Sequence, residues 1–201
     1  MLKKLSLVLA SVVSAFAMHS AEININEKDL EISTKFDLGQ FNETVEPDTT
    51  FVGVKYLNGS DDYSENENGD PVDVSGYVEL NFLMKREVQN SGITFGIGVK
   101  ANYTKVDEVF ISLPLGLEIG YNVPVSIPMT VGASVYYAPE SLAITNADNY
   151  LEYRLEGSVE LIERAAMVVG YRHLEMTFNV DGNTYDITYN DAAYFGFRFD
   201  F

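Results

Sequence analysis

The sequence predicts an all-β fold: an antiparallel, up-and-down transmembrane β-barrel of ten strands, with eight as the alternative count. Three observations carry that expectation. The chain opens with the pattern of an export signal, most of the remaining chain alternates apolar and small or polar residues with a period of two, and the last strand is an aromatic ladder ending on Phe201.

The N-terminal segment comes first. Lys3 and Lys4 precede an apolar run from Leu5 to Ala17 that ends in Ala15-Phe16-Ala17, a small-residue cleavage pattern. At roughly 13 residues, this run is too short to span a bilayer as a helix, which takes about 20. It reads as a removed signal covering residues 1–21, with Ala17 or Ala21 as the last residue lost and the barrel occupying 22–201. No later segment is a long unbroken apolar run, so insertion into a membrane has to be by strands whose backbone groups pair with one another.

Composition narrows the chemistry. The formal charge of −17 argues against nucleic acid as a partner. The absence of cysteine excludes disulfides, thiolate metal sites and cysteine nucleophiles. Tryptophan is absent too, so an aromatic girdle would have to be built from the 13 Tyr and 12 Phe.

The strands are taken in chain order. Glu22 to Asn26 is a short candidate, and whether it joins the wall decides between ten strands and eight. Leu30 to Phe41 and Thr50 to Leu57 come next. Val74, Val78, Leu80, Phe82 and Met84 then share one face against Asp73, Ser75, Glu79 and Asn81. Ile93, Phe95, Ile97, Val99, Ala101 and Tyr103 alternate with Thr94, Gly96, Gly98, Lys100 and Asn102. Clearest of all, Val109, Ile111, Leu113, Leu115, Leu117, Ile119 and Tyr121 form one apolar face over a length sufficient for a membrane strand. Ile127 to Ala138, Tyr150 to Ile162, Ala165 to Phe178 and Ala192 to Phe201 complete the set. Pro114 lies within a strand, where its missing N–H predicts a bulge, whereas Pro128 suits a strand start.

Short links near Arg86–Ser91, Asn122–Ser126 and Glu163–Arg164 are expected at the periplasmic end, and longer ones at Asn58–Val72, Pro139–Ala147 and Asn179–Asp191 outside. A soluble lipocalin-like barrel would show the same alternation with the apolar face inward. The second faces here are rich in Gly, Ser and Thr and poor in Lys, which suits a crowded lumen better than a water-facing surface. In the final strand Ala193, Phe195, Phe197, Phe199 and Phe201 alternate with Tyr194, Gly196, Arg198 and Asp200. Phe197, Phe199 and Phe201 have the look of the C-terminal signal read by the barrel-assembly machinery.

Val135-Tyr-Tyr-Ala-Pro-Glu-Ser-Leu-Ala143, Ala147-Asp-Asn-Tyr-Leu-Glu-Tyr153, Val169-Gly-Tyr-Arg172, Leu113-Pro-Leu-Gly116 and the terminal Phe201 together resemble the YfaZ family of outer-membrane proteins. The resemblance is clearest from Leu113 to Arg172. It implies a small barrel in a Gram-negative outer membrane and no particular activity. The expected partners are membrane lipid and lipopolysaccharide, with periplasmic chaperones and the assembly machinery during biogenesis; no cofactor is expected.

Candidate functional residues lie mainly inside the expected barrel. Glu152, Arg154, Glu156, Ser158 and Glu160 share the second face of their strand and, with Glu118, Arg172 and Arg198, predict a lumen lined by both signs of charge. Such a set either plugs a small barrel by pairing its own charges or lines a narrow, weakly cation-preferring pore. A lipid-modifying enzyme is the remaining alternative. It would need a His beside a Ser and an acid, yet His19 falls at the cleavage region and His173 has no adjacent Ser, reading instead as an interface or loop-proximal residue. No catalytic residue is therefore assigned.

Asp61, Asp62, Glu65, Glu67 and Asp70 crowd one outer loop with oxygen ligands suited to Ca²⁺. Ser64, Asn66, Asn68 and Gly69 follow the early spacing of an EF-hand loop, but Ser75 stands where its closing acid belongs, so a solvated loop is the default. Gly96 and Gly98 are strand glycines and belong to no phosphate-binding motif.

Overall fold

The computed structural model describes residues 19–59, 74–106, 108–145, 147–180 and 183–201. Its strands are β1 (Ser20–Ile25), β2 (Leu30–Asp37), β3 (Thr50–Asn58), β4 (Tyr77–Glu87), β5 (Ile93–Val106), β6 (Glu108–Ser112), β7 (Leu115–Val123), β8 (Met129–Ala138), β9 (Ala143–Thr145), β10 (Ala147–Ile162), β11 (Ala165–Val180) and β12 (Asn183–Asp200). Neighbours pair antiparallel, and β4 meets β5 to close the sheet. Because β6 and β7 share the partner β5, and β9 extends the course of β8, the closed wall has ten strands. β1 is the tenth: it bridges β2 and β12, so the short N-terminal strand completes the barrel.

The two ends differ. The terminal end carries Ser20 and Asp200 and the turns after β4, β7 and β10; Gln89, Asn90, Gly92 and Arg164 have positive φ there, as tight reversals require. The opposite, or hairpin, end carries the β5–β6 and β11–β12 hairpins. β10, β11 and β12, at 16, 16 and 18 residues, exceed the ~9–11 residues a membrane crossing takes, so the wall is taller on this side, with the β11–β12 hairpin at its top.

Three local expectations are corrected. No bulge forms at Pro114: Asn102↔Ser112 and Val99↔Leu115 keep one register, and the Lys100 N–H donates to the Pro114 carbonyl at 2.9 Å. The interruption appears instead on the neighbouring strand, where β8 stops and a 3-10 turn (Glu140–Leu142) leads into β9. Leu113 donates to Leu142 across that gap at 2.8 Å. Pro139–Ala147 is thus partly wall, not all loop. Asn179–Asp191, also expected as a loop, is mostly strand, because a bulge at Tyr189 keeps β11 and β12 paired past it. Leu174 pairs with Asn190, but Glu175 pairs with Thr188. Pro128 does precede a strand, and its carbonyl accepts from Glu160 N–H at 2.9 Å.

Alternation sets the two faces. Val54, Tyr56, Leu80, Ile97, Leu115, Leu117, Leu155 and Phe197 point outward and are exposed, forming an apolar belt of a kind water-soluble surfaces rarely carry. Tyr56, Tyr103, Tyr137, Tyr153 and Tyr171 stand toward its hairpin-side rim, with Asn58, Lys105, Asn149, Glu175 and Asp191 beyond. Inside, Leu57, Tyr77, Val106, Phe110, Tyr150, Leu174, Met176, Phe178, Ile187 and Tyr189 are fully buried and stop the hairpin end. The bulge at Tyr189 turns two successive residues inward, Tyr189 to the stopper and Asn190 to the layer below it.

Candidate functional site

Below the stopper the lumen is charged. Lys55 on β3 and Lys100 on β5 lie between Glu79 on β4 and Glu152 on β10. Lys55 reaches Glu79 at 2.8 Å and Glu152 at 3.0 Å, while Lys100 reaches Glu79 at 3.2 Å and also contacts Glu152. All four project from inward positions of their strands, so the barrel's closure alone brings them together. The stopper touches this layer through two hydroxyls 2.8 Å apart: Tyr77 lies 3.0 Å from Glu79 and Tyr150 2.9 Å from Glu152.

A second group joins the first side by side. Glu31 on β2 accepts from both Arg154 and Arg172, one oxygen to each. Arg172 also donates to Asn190 at 2.8 Å, and Asn190 in turn donates to Asp29. Arg154 donates to the Tyr194 hydroxyl at 2.6 Å, which donates to Glu156 at 2.9 Å. Arg198 comes next, with Glu156 at 3.3 Å, Glu22 at 3.7 Å and Ser158 at 2.6 Å. Buried ions are costly unless paired, and here each charge next to the stopper has at least one opposite partner.

Among the described residues, this column is open to water toward the terminal end. Side-chain exposure falls from 25% at Arg198 and 22% at Glu156 to 18% at Arg154, then 7% at Lys100, 4% at Lys55 and 2% at Glu152. A cavity of about 240 Å³ occupies the terminal half of the lumen, bounded by Lys35, Lys85, Thr94, Glu118, Thr130, Ser134 and Tyr136 together with the ion-pair column. Tyr136 lies across the wall where two paired glycines leave room: a Cβ on Gly98 or Gly116 would come within 2.3 Å of its ring or hydroxyl. Its hydroxyl donates to Glu118 at 2.6 Å, and the Lys100 ammonium sits 3.9 Å from its ring centre.

Of the residues singled out from sequence, Glu152, Arg154, Glu156, Arg172 and Arg198 are joined in this column. Glu118 lines the cavity bonded to Tyr136, and Glu160 takes no ion-pair partner among the described residues. Glu31, Lys55, Glu79 and Lys100, which complete the column, were not singled out. Their signal was present: each sits at an inward position of a strand whose other face is largely apolar, as Lys55 does between Gly53 and Leu57. Phe197, Phe199 and Phe201 are exposed on the outer face. The carboxylate loop from Asp61 to Asp70 lies outside the described residues.

His173 points outward, opposite in facing to Arg172. It stacks on Tyr153 at 4.8 Å, with Asp191 at 3.7 Å and Glu175 at 3.8 Å; none of these partners is a serine. His19 belongs to the wall: its N–H donates to Lys35 at 2.9 Å, its carbonyl accepts from Phe201 at 3.1 Å, and its ring lies 3.5 Å from Asp48. His19, Asp37 and Asp48 have ligand atoms close enough to share an ion, but both Asp37 oxygens already accept backbone N–H groups, from Gly39 at 2.9 Å and Asp48 at 2.8 Å.

A family model described as YfaZ precursor matches residues 3–201, and the chain belongs to that family. A comparison with curated proteins finds no match.

Proposed function

We propose that this YfaZ-family barrel resides in a bacterial outer membrane as a passive protein, its lumen shut to ion flow and its terminal end facing the periplasm. The observation that carries the closed reading is the stack of two barriers in one lumen. A fully buried aromatic and aliphatic stopper sits on a layer in which Lys55, Lys100, Glu79 and Glu152 neutralise one another. An ion entering would have to break these pairs and then cross dry side chains.

The membrane assignment draws on the exposed apolar belt and its tyrosine rim, together with the family description as a precursor, in keeping with a removed signal. On this reading the belt meets membrane lipid, the projecting β11–β12 hairpin stands among lipopolysaccharide, and Phe197, Phe199 and Phe201 serve the assembly machinery. We assign no enzymatic chemistry. His173, the one outward histidine near a rim, has carboxylate and tyrosine neighbours but no serine nucleophile. Lipid A and phospholipid profiles are expected to be the same with wild-type protein and with His173→Ala.

Planar-bilayer recording on the refolded mature barrel tests the closed reading. Silence from a barrel proven folded by gel shift is the expected result. Discrete conductance steps would overturn it in favour of a narrow pore. Cation preference would in any case fit the lining poorly, since the cavity is bounded by Lys35, Lys55, Lys85, Lys100, Arg154 and Arg198 against Glu79, Glu118, Glu152 and Glu156.

A further inference from the structure

We propose that the vestibule in the terminal half of the lumen is a binding site for a small, multiply charged oxyanion, anchored by Lys35 and Lys85. The first ground is charge. The full chain carries −17, yet six cations and four carboxylates bound this one cavity. Pairing sharpens the imbalance. Lys55 and Lys100 are neutralised by Glu79 and Glu152, and Arg154 by Glu31, while Glu156 is occupied by Arg154, Arg198 and Tyr194. Lys35 and Lys85 take no carboxylate within ion-pair distance among the described residues; the Lys85 ammonium rests instead 4.5 Å from the Phe51 ring centre. Asp48 and Glu118 act on Lys85 only at longer range, so two ammoniums without a direct carboxylate contact stand at the mouth of the cleft and favour anions there.

The second ground is space and donors. The cavity of about 240 Å³ is many times the space one water needs, enough for a phosphate or a small polycarboxylate with part of its hydration. Ser33, Thr94, Thr130 and Ser134 line it with hydroxyls, and Asn81 adds an amide. Gly132 keeps it open: a Cβ there would meet only the Ile119 carbonyl, at 3.3 Å. The stopper closes the far side, so the anion enters and leaves by the terminal end. The site itself follows from the cavity; only its supply from the periplasm rests on the outer-membrane reading.

Calorimetry or ³¹P NMR on the folded barrel in zwitterionic micelles, with inorganic phosphate and citrate as probes, tests the site apart from any conductance. Saturable binding that weakens with added salt is expected, with Lys35→Gln and Lys85→Gln each losing about tenfold in affinity, the scale of one charge-assisted hydrogen bond. Gly132→Val narrows the cavity without touching a charge and is expected to weaken binding at least tenfold in a barrel that still shows the folded gel shift. Should the lysine variants fold poorly, Gly132→Val decides alone. No saturable binding by wild type, or wild-type affinity in Gly132→Val, overturns the proposal.

Discussion

Replacing Glu152 by Gln removes one charge from the centre of the lumen and changes almost nothing in shape. The carboxylate there contacts Lys55 at 3.0 Å, contacts Lys100, and lies 2.9 Å from the Tyr150 hydroxyl, with 2% of its side chain exposed. At an effective dielectric of about 20, one ion contact at that distance is worth ~5–6 kcal/mol before desolvation. After substitution both lysines keep a partner in Glu79, at 2.8 and 3.2 Å, but two buried ammoniums then share a single carboxylate. Breaking a buried pair in this way costs about 3–5 kcal/mol. With a urea dependence of ~1–3 kcal/mol per molar, the unfolding midpoint in micelles is expected to drop by about 1–5 M. Adding Lys100→Met removes the surplus cation, so the double variant is expected to recover at least ~1 kcal/mol relative to the sum of the singles. A midpoint that stays within about 0.5 M of wild type, together with altered ion selectivity in a bilayer, would refute the reasoning and identify Glu152 as the wall of an open pore.

Gly116→Ala drives a methyl to within 2.3 Å of the Tyr136 ring, so a loss of about 1–3 kcal/mol is expected by the same urea assay, with partial recovery when Tyr136→Leu is added. The mature N-terminus is expected at Met18, because cleavage after Ala21 would strip the pairs Ser20↔Asp200 and Ala21↔Phe199 and the two His19 backbone bonds from the barrel seam; N-terminal sequencing of membrane-extracted protein checks this. Deleting Phe201 is expected to reduce assembled barrel in cells while leaving refolding in micelles nearly unchanged, since Phe201 contributes one backbone bond to His19 and an exposed ring. Equal losses in both settings would make it a stability residue, not an assembly signal.

The wall was legible in the sequence because a two-residue period over a full membrane length leaves few other folds. Leu115, Leu117 and Ile119 could only face outward once Glu118 faced in. The β1 strand was ambiguous for a physical reason: six residues show too few alternations to separate a strand from a leader, and only pairing with both β2 and β12 decides it. Local irregularities were misread because they are set by the partner strand. Pro114 predicts a bulge in its own strand, yet β5 pairs on both sides of it in one register and the interruption falls in the other partner, β8. Tyr189 carries no bulge signature at all. In the lumen, charges clustered on one strand, as on β10, were readable; single charges on β2, β3, β4 and β5 meet only through closure, across separations such as the 141 residues between Glu31 and Arg172.

How tightly each interior charge is paired tracks how far water penetrates. Next to the stopper, Glu152 has two ammoniums and a tyrosine hydroxyl, and Glu31 has two guanidiniums, because nothing else there can solvate them. Nearer the mouth Glu156 shares its partners with bulk water, and Lys35 and Lys85 have no carboxylate within ion-pair distance among the described residues. The same Glu→Gln exchange should therefore cost progressively less along the column: most at Glu152, less at Glu156, and under about 1 kcal/mol at Glu118, where the amide oxygen still accepts from Tyr136. A flat series would mean that water reaches Glu152 as readily as Glu118, and the stopper would then have to be leaky.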